Sequence, residues 1–403
     1  MLYLSKSRGI GGHVKSSPED FTVMEILGNG TVLEPDKAYS PADIGEAGDD
    51  KGKFAKFVMQ KRDWDTVQAL IKIAKIAGRG RKSISYAGSK DRQSISTQLA
   101  SIFGADPSSL IGIRARDIKI TCAWRSSTPV ELGSNIGNSF VATIRECSNT
   151  ERLAGIIEEL SGSIPNYFDK QRFGMRMNNS DIGLCIMRGE FEEAVTKFLT
   201  DSNLESNVIS VEARKRLSDE MDFKSALQYF PKNLRNERTV IEYLSRYDNY
   251  ANALRKLPRG ILLMFVHSVQ SLIFNNALQD RIEAEDLDSH IRCKKNFYGF
   301  PDIGTVGREG DFALGSIVGY ATKDEAISDY EKEQMEKIGI AREDFKVKGI
   351  PELGSKGSFR VILAPVKNVS HESEGNNATI KFSLPSGSYA TIFLYELTKT
   401  SVQ

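Results

Sequence analysis

Strand-like alternation of apolar and polar residues occurs near both ends of the chain, and a long helix-rich stretch separates the two groups. This stretch contains a polar, charged part over residues 201–250 and a long predicted helix over 261–284. The predicted strands span residues 20–27, 54–59, 84–87 and 138–146 before it, and 359–363, 379–384 and 390–394 after it. The pattern predicts an α+β protein in which residues 1–195 and 355–403 form one domain around an inserted α+β domain, residues 196–354.

The most apolar helical stretch, residues 261–278, is interrupted by polar side chains, among them His267, Gln270 and Asn275. We therefore interpret it as a buried helix and not as a membrane span. The N-terminus lacks the apolar core of a signal peptide. The four cysteines are scattered and form no Cys-x-x-Cys pair, so neither a zinc site nor a disulfide framework is expected. These features favour a cytoplasmic protein that needs no membrane and no metal.

The charge of the chain is unevenly distributed. The net charge is only +1, but residues 51–82 contain ten Lys or Arg and two Asp, a formal charge of +8. The same segment contains a predicted helix, which Asp65 or Thr66 caps and Gly78 ends. Such a segment is either a phosphate-binding face or a well-solvated helix and loop, and its composition does not decide between them.

Residues 83–98 combine a short strand, a Gly-Ser turn and the tripeptide Lys90-Asp91-Arg92. Neighbouring cations favour the charged form of a carboxylate, so Asp91 is expected to stay ionised. An ionised carboxylate suits a nucleophile or an electrostatic stabiliser better than a proton donor. Taken alone, the tripeptide is more typical of a solvated surface turn.

Three further segments change this interpretation: residues 15–25 (Lys-Ser-Ser-Pro-Glu-Asp-Phe-Thr-Val-Met-Glu), 165–174 (Pro-Asn-Tyr-Phe-Asp-Lys-Gln-Arg-Phe-Gly) and 384–391 (Leu-Pro-Ser-Gly-Ser-Tyr-Ala-Thr). Together with Tyr86-Ala-Gly-Ser-Lys-Asp-Arg, they resemble the motifs of the TruD family of tRNA pseudouridine synthases, and in particular its archaeal members. The four segments occur in the order of the family and extend over most of the chain.

The resemblance implies a pseudouridine-synthase-like catalytic domain, with a mixed, largely antiparallel sheet and flanking helices, and an inserted TruD-type domain. It also implies tRNA as the substrate and the uridine at position thirteen as the target. The reaction moves ribose C1′ from uracil N1 to uracil C5. This isomerisation needs no redox partner, metal or ATP, so no cofactor is expected. We expect the protein to act as a monomer.

The resemblance assigns roles to six residues. Asp91 is the catalytic carboxylate, and Lys15 is the cation that pairs with it. Whether Asp91 attacks uracil C6 or assists at C1′ is left open by the sequence. The residues expected around the uracil are Phe21, Asn166, Phe168 and Tyr389. Asn166 could read the uracil edge or hold the Asp91 loop, and Phe21 could instead face the core. The base must leave its stack to react, and aromatic stacking can offset that cost.

A second group of residues is expected to contact the phosphates of the RNA: Lys90, Arg92, Arg172, Arg79, Arg81 and Lys82. Arg172 could instead reach a carboxylate. Two positions depart from the family pattern. Asp169 stands where the family usually has glycine, and Tyr395 stands near a position where it often has arginine.

Other functions fit less well. A non-catalytic RNA-binding or RNA-chaperoning protein could keep the same cleft, but it would not require Asp91 and Lys15. A zinc deaminase needs His-x-Glu and Pro-Cys-x-x-Cys, which the sequence lacks. A methyltransferase would normally contain a glycine-rich loop after a strand, and Gly304-Thr-Val-Gly307 is too short for that. No P-loop motif is present, which argues against an NTPase.

Overall fold

The computed structural model describes residues 1–400, which contain fifteen strands and twelve α-helices. The strands are β1 (His13–Val14), β2 (Phe21–Ile26), β3 (Phe54–Arg62), β4 (Ile84–Tyr86), β5 (Ile95–Phe103), β6 (Ile118–Ser126), β7 (Gly137–Arg145), β8 (Ser163–Pro165), β9 (Arg292–Lys295), β10 (Pro301–Gly307), β11 (Phe312–Ile317), β12 (Ser358–Val361), β13 (Leu363–Pro365), β14 (Lys367–Glu374) and β15 (Asn377–Pro385).

The α-helices are α1 (Thr66–Ile76), α2 (Pro107–Ile111), α3 (Leu153–Glu159), α4 (Asn179–Arg188), α5 (Phe191–Thr200), α6 (Val208–Glu220), α7 (Phe223–Tyr229), α8 (Arg235–Leu244), α9 (Tyr250–Leu254), α10 (Arg259–Glu283), α11 (Asp329–Lys337) and α12 (Ala390–Thr398). Short 3-10 turns occur between several of these elements.

Packing divides the chain into two compact units. The sheet unit comprises Tyr3–Pro165, Lys295–Pro301 and the described residues from Leu363 on. The helical unit comprises Met1–Leu2, Asn166–Lys294 and Asp302–Ile362. The main packing boundaries therefore lie at 165/166 and 362/363, whereas the sequence pattern predicts 195/196 and 354/355. Residues 166–195 fall in the helical unit because α4 and α5 bury Ile182, Ile186 and Val195 in its core. The division into a catalytic and an inserted domain stays a prediction.

The sheet unit contains a nine-stranded sheet with the main order β14-β15-β7-β2-β5-β3-β6. Strand β1 pairs with β7, and β4 pairs with β5. Strands β2 and β5 run parallel, whereas the other pairs are antiparallel. The mixed, largely antiparallel sheet and the flanking helices confirm the predicted α+β class.

Strand β5 is buried along almost its whole length. Ala100 and Ile102 belong to the core cluster that α1 covers, and Leu99 belongs to a second cluster with Leu33 and Trp124. Both faces of the strand are therefore covered. Apolar and polar residues do not alternate regularly along it, as they would in a strand with one solvent-exposed face. This is why residues 94–102 fit a strand pattern only loosely.

Helix α1 begins and ends as predicted. The Asp65 side chain accepts a hydrogen bond from the Gln68 N–H at 2.9 Å, which caps the helix. Gly78 follows the last turn with a φ of +69°, in the left-handed region that glycine adopts without strain. The apolar side of α1 places Ala69, Leu70 and Ile73 against β3 and β5.

The predicted strand over residues 390–394 is wrong, because these residues begin helix α12. Every residue of α12 is buried, including Thr391 and Glu396. A helix that is covered on all sides shows no amphipathic period, and a short apolar run cannot be distinguished from a strand by its pattern.

The helical unit is organised around α10, whose buried residues include Leu262, Phe265 and Val269. Helix α4 packs closely on it, and a Cβ added at Gly183 would lie 2.2 Å from the Phe265 carbonyl oxygen. Among the described helices, α10 is the one that is long and apolar enough to cross a membrane by composition, and 61% of its most apolar window is buried. The helical unit also contains most of a four-stranded sheet of order β10-β9-β11-β12.

Candidate active site

Asp91 lies in the loop between β4 and β5, and its backbone is tightly bonded. Lys61 Nζ and Ser94 Oγ each donate a hydrogen bond to the Asp91 carbonyl oxygen, both at 2.7 Å. The preceding residue, Lys90, donates its N–H to Thr66 Oγ1 at 2.9 Å. Strand β3 and the start of α1 therefore fix the backbone that carries Asp91.

The Asp91 side chain forms an ion pair with Lys15. Lys15 Nζ lies 2.5 Å from Asp91 Oδ2 and 4.1 Å from the centre of the Phe21 ring. The Lys15 and Asp91 side chains are 12% and 29% exposed, so the pair borders solvent. A cation at this distance favours an ionised carboxylate. The structure thus brings together three of the predicted site residues, Lys15, Phe21 and Asp91.

The backbone at Lys15 has an unusual conformation. Its φ is 60°, in the left-handed region that residues other than glycine rarely adopt. The Lys15 carbonyl accepts a hydrogen bond at 2.6 Å from Nε2 of Gln93, a residue of the Asp91 loop. The side-chain ion pair and this backbone contact hold the two segments against each other.

Phe21 is a core residue as well as a neighbour of Lys15. It is 1% exposed, and its ring stacks on Phe140 with the centroids 5.8 Å apart. The row continues through Phe382 to Phe393. This agrees with the alternative in which Phe21 faces the core, and its contact with uracil stays a prediction.

Lys90 is placed differently from its predicted role as a phosphate contact. Its ammonium lies 2.7 Å from Glu25 Oε1, and both side chains are almost fully buried. Glu25 Oε2 accepts the Leu99 N–H at 2.8 Å, so the carboxylate also bonds to β5. A buried and paired ammonium is out of reach of an RNA phosphate. Lys90 therefore stabilises the loop from inside, and its assignment as a phosphate contact is corrected.

The sequence interpretation missed Lys61. This residue lies two positions after Met59 and four after Phe57 in β3, so it shares their face of the strand, and its side chain is 1% exposed. Burial lowers the pKa of the Lys61 ammonium to about 8, and the negative charges of Asp91 and Asp65 counteract part of this effect. The sequence signal for Lys61 was its spacing, because it follows Phe57 and Met59 at every second position along β3.

Asn166 belongs to the helical unit, where both ends of its side-chain amide are bonded. Asn166 Nδ2 donates to the Val361 carbonyl oxygen at 3.0 Å. Arg360 Nη2 donates to Asn166 Oδ1 at 2.7 Å, and Arg360 Nε donates to the Asn166 carbonyl oxygen at 2.7 Å. Arg360 was not identified from the sequence, because it lies 194 residues away along the chain.

Phe168, also in the helical unit, is anchored through its backbone. Its N–H donates to Asn275 Oδ1, and its carbonyl accepts from Asn275 Nδ2, both at 2.8 Å. The guanidinium carbons of Arg360 and Arg172 lie 4.1 and 5.0 Å from the centre of the Phe168 ring. Burial lowers the pKa of His267, and the positive charge of Arg172 adds to this effect.

Tyr389 belongs to the sheet unit, where it is half-buried and precedes the first residue of α12, Ala390. Gly387 has a φ of +83°, so the turn before Tyr389 uses a left-handed conformation that glycine favours. Two residues depart from the family pattern. Asp169 has an ordinary extended backbone with φ −82° and ψ 170°, and Tyr395 is buried in α12.

The other predicted phosphate contacts of the sheet unit lie at the surface. Arg79, Arg81 and Lys82 are exposed and follow α1. The Arg79 guanidinium donates to the Gly104 carbonyl oxygen. Arg92 is 72% exposed, and its Nε lies 3.4 Å from a carboxylate oxygen of Asp63. These four side chains are accessible to a phosphate, unlike Lys90.

Within residues 1–400, no three or more His, Cys, Asp or Glu side chains are grouped in a way that could hold a metal ion. The four cysteines are buried free thiols.

Comparison with known proteins gives a consistent result. The sequence model of the family described as "tRNA pseudouridine synthase D (TruD)" matches residues 1–293 and 305–397. A protein of Methanosarcina mazei named "Probable tRNA pseudouridine synthase D" is 31% identical over 439 aligned residues, which cover 99% of this chain and 96% of that protein. A protein of Methanopyrus kandleri with the same name is 34% identical, with 86% of each chain covered.

A solved structure is similar over the whole chain. The crystal structure of a Methanosarcina mazei protein described as "Putative tRNA pseudouridine synthase D (TruD)" superposes with a TM-score of 0.76 at 30% sequence identity. The alignment covers 100% of this chain and 96% of that protein.

Proposed function

Because the chain belongs to the tRNA pseudouridine synthase D (TruD) family, we propose that it converts the uridine at position thirteen of tRNA into pseudouridine, with Asp91 as the catalytic carboxylate. Membership in this family confirms the resemblance found in the sequence and the isomerase class. The observation that carries the role of Asp91 is its ion pair with Lys15, at 2.5 Å beside Phe21.

The proposed reaction breaks the bond from ribose C1′ to uracil N1 and forms a bond from C1′ to C5. N1 gains a proton and C5 loses one, so substrate and product contain the same atoms. An ionised carboxylate can add to uracil C6 or stabilise positive charge at C1′. Both routes require the ionised form of Asp91, which the adjacent Lys15 ammonium favours.

The target uracil has to leave its stack before it can react, which costs a few kcal/mol. Stacking of one base on an aromatic ring returns about 1–3 kcal/mol. We assign this contact to Phe168 and Tyr389. The amide of Asn166 is already bonded to Val361 and Arg360, which favours a role in ordering its segment over direct reading of the uracil edge.

Phosphate binding is assigned to the exposed cations Arg79, Arg81, Lys82 and Arg92, and to Arg172 in the helical unit. Each of these side chains can neutralise a phosphate and release counterions. The protein is proposed to act on tRNA in the cytoplasm and as a monomer.

The proposal is tested by release of tritium from tRNA labelled at uracil C5, since the new bond to C5 must expel that hydrogen. We expect release by the wild-type protein, and a decrease of at least about 1,000-fold in Asp91→Asn with little change in the Kd for tRNA. Asp63→Asn is the matched control, because it removes a carboxylate that pairs with Arg92 from a neighbouring loop.

A tRNA with cytidine at position thirteen tests the target position, and we expect no release from its other uridines. Release from that tRNA would contradict the assigned position. Equal release by wild type and Asp91→Asn would contradict the role of Asp91. Binding of tRNA without release by the wild-type protein would favour a non-catalytic RNA-binding protein.

A further inference from the structure

Lys61 is a buried cation that the proposed reaction does not use directly. Its ammonium donates to the carbonyl oxygens of Asp91 at 2.7 Å and Lys90 at 3.4 Å. In the described part of the chain, no carboxylate lies within ion-pair distance of it. Its neighbours across the strands are Ser96 in β5 and Ile118 in β6, neither of which carries a charge.

This arrangement is unfavourable for stability alone. A buried ammonium loses its hydration, and two carbonyl dipoles compensate it less well than a carboxylate would. Lys56 offers a direct contrast, because it is equally buried in the same strand but its ammonium is paired with Glu46. The charge of Lys61 is instead directed at the backbone of the Asp91 loop.

The hydrogen bond from Lys61 acts on Asp91 in two ways. The Asp91 carbonyl oxygen accepts one hydrogen bond from Lys61 in β3 and another from Ser94 in its own loop. Rotation of this peptide group would therefore break two hydrogen bonds. The positive charge also lies behind the Asp91 backbone, whereas Lys15 contacts the carboxylate itself. Two cations therefore act on one residue from different segments.

We propose that Lys61 is a positioning residue for catalysis, which holds the Asp91 loop through its carbonyl oxygens and whose positive charge supports the ionised carboxylate. This inference rests on the proposed function, because it assumes that Asp91 carries out the chemistry. The Lys61 side chain is only 1% exposed, so it should affect the rate of the chemical step and not the affinity for tRNA.

The position also makes the reaction sensitive to pH. The charged groups that face Lys61 are Asp91 and Lys90 in the loop after β4, and Asp63 and Asp65 in the turn before α1. Burial lowers the pKa of Lys61 to about 8; the positive charge of Lys90 adds to this effect, and the three carboxylates oppose it. The ammonium therefore loses its proton as the pH rises through this value, and the single-turnover rate of the wild-type protein should fall there.

The test measures tritium release under single-turnover conditions from neutral pH to about pH 9.5. Lys61→Met should lower the rate constant at neutral pH by about 100-fold with an unchanged Kd for tRNA, because a small displacement of a catalytic group has an effect of this order. Lys61→Arg stays charged and should recover most of the rate, with the alkaline decline moved to higher pH. Lys56→Met, the matched control, should keep the wild-type pH profile.

Each outcome decides the inference. A wild-type rate in Lys61→Met would overturn it, and so would an unchanged alkaline decline in Lys61→Arg. Lys61→Arg also carries the test if Lys61→Met does not fold. Full activity of Asp91→Asn would overturn the proposed function as well, whereas loss of activity in Asp91→Asn with normal Lys61 variants would overturn this inference alone.

Discussion

Three lysines of the sheet unit are buried, and their partners differ. Lys56 is paired with Glu46, Lys90 is paired with Glu25, and Lys61 is bonded only to carbonyl oxygens among the described residues. Two of the three thus have a compensating charge. Lys61, which has no paired carboxylate among the described residues, should make the stability of the protein change with pH in the alkaline range.

The sign of this dependence follows from the lowered pKa of Lys61. Above a pH of about 8 the folded protein has lost this proton, whereas the unfolded chain keeps it until about pH 10.4. Stability should therefore rise with pH in this window, with a slope from this group of at most about 1.4 kcal/mol per pH unit. Below the window the full penalty of the buried charge is present.

The measurement is urea unfolding of the wild-type protein and Lys61→Met across this pH range. The wild-type protein should gain stability relative to the variant as the pH rises. The comparison cancels most other titrations, since both proteins share them. A constant difference between the two curves would show that Lys61 keeps its proton in the folded protein.

The sequence could identify Lys15 and Asp91, because both lie in motifs whose order matches a family. It could not reveal the environment of Lys90, since Glu25 lies 65 residues away along the chain. The same limit applies to Arg360, whose bonds to Asn166 join distant segments. Charge and motif are local properties, whereas burial and pairing are set by the fold.

The contact between helices α4 and α10 depends on the absence of a side chain at Gly183. A Cβ there would lie 2.2 Å from the Phe265 carbonyl oxygen and 2.8 Å from Val269 Cγ2. Because one of these atoms is backbone, the helices would have to move apart. Gly183→Ala should therefore destabilise the protein by about 1–3 kcal/mol, despite the higher helix propensity of alanine.

Gly155 provides the matched control, because it is exposed in α3 and a Cβ there would meet nothing within 4 Å. Gly155→Ala should stabilise the protein by about 0.5–1 kcal/mol. Thermal unfolding of Gly183→Ala and Gly155→Ala measures the two changes in stability. Equal effects of the two substitutions would mean that the α4–α10 contact is not as close as the structure has it.

Helices and strands could be predicted from the sequence where one of their faces is exposed to solvent. Helix α1 has such a face, and its cap Asp65 and stop signal Gly78 could be read directly from the sequence. Strand β5 and helix α12 are covered on both faces or all round, so neither has a regular period. Tertiary packing, and not local preference, decides the structure of such segments.

The charge of the whole molecule gives no indication of RNA binding, because acidic and basic residues almost cancel. The uneven distribution of charge along the chain does indicate RNA binding. However, two of the ten cations in residues 51–82, Lys56 and Lys61, lie in the core. The exposed Arg81 and Lys82 remain available. Removing both should reduce the slope of log Kd for tRNA against log salt by about 0.7–0.9 for each lost phosphate contact.

The measurement compares tRNA binding at several salt concentrations for Arg81→Ala/Lys82→Ala and for Lys215→Ala/Lys224→Ala. The second variant removes the same charge from exposed positions of the helical unit. A reduced slope in the first variant alone would assign the phosphate contacts to the segment after α1. The same reduction in both variants would indicate a general effect of net charge.

Residues close to both ends of the described chain belong to the unit that contains Asp91. Ile10 donates its N–H to the Leu397 carbonyl oxygen at 2.8 Å, and the Glu396 carboxylate accepts the N–H groups of Leu4 and Ser5. Strand β15 also pairs with β7, and these are the second and third strands in the main order of the sheet. On the ribosome, strand β7 must therefore wait for β15 to be translated, whereas all residues of the helical unit have been synthesised by then. A nascent chain stalled before β15 can contain Asp91 and Lys15 but cannot complete the sheet that supports them.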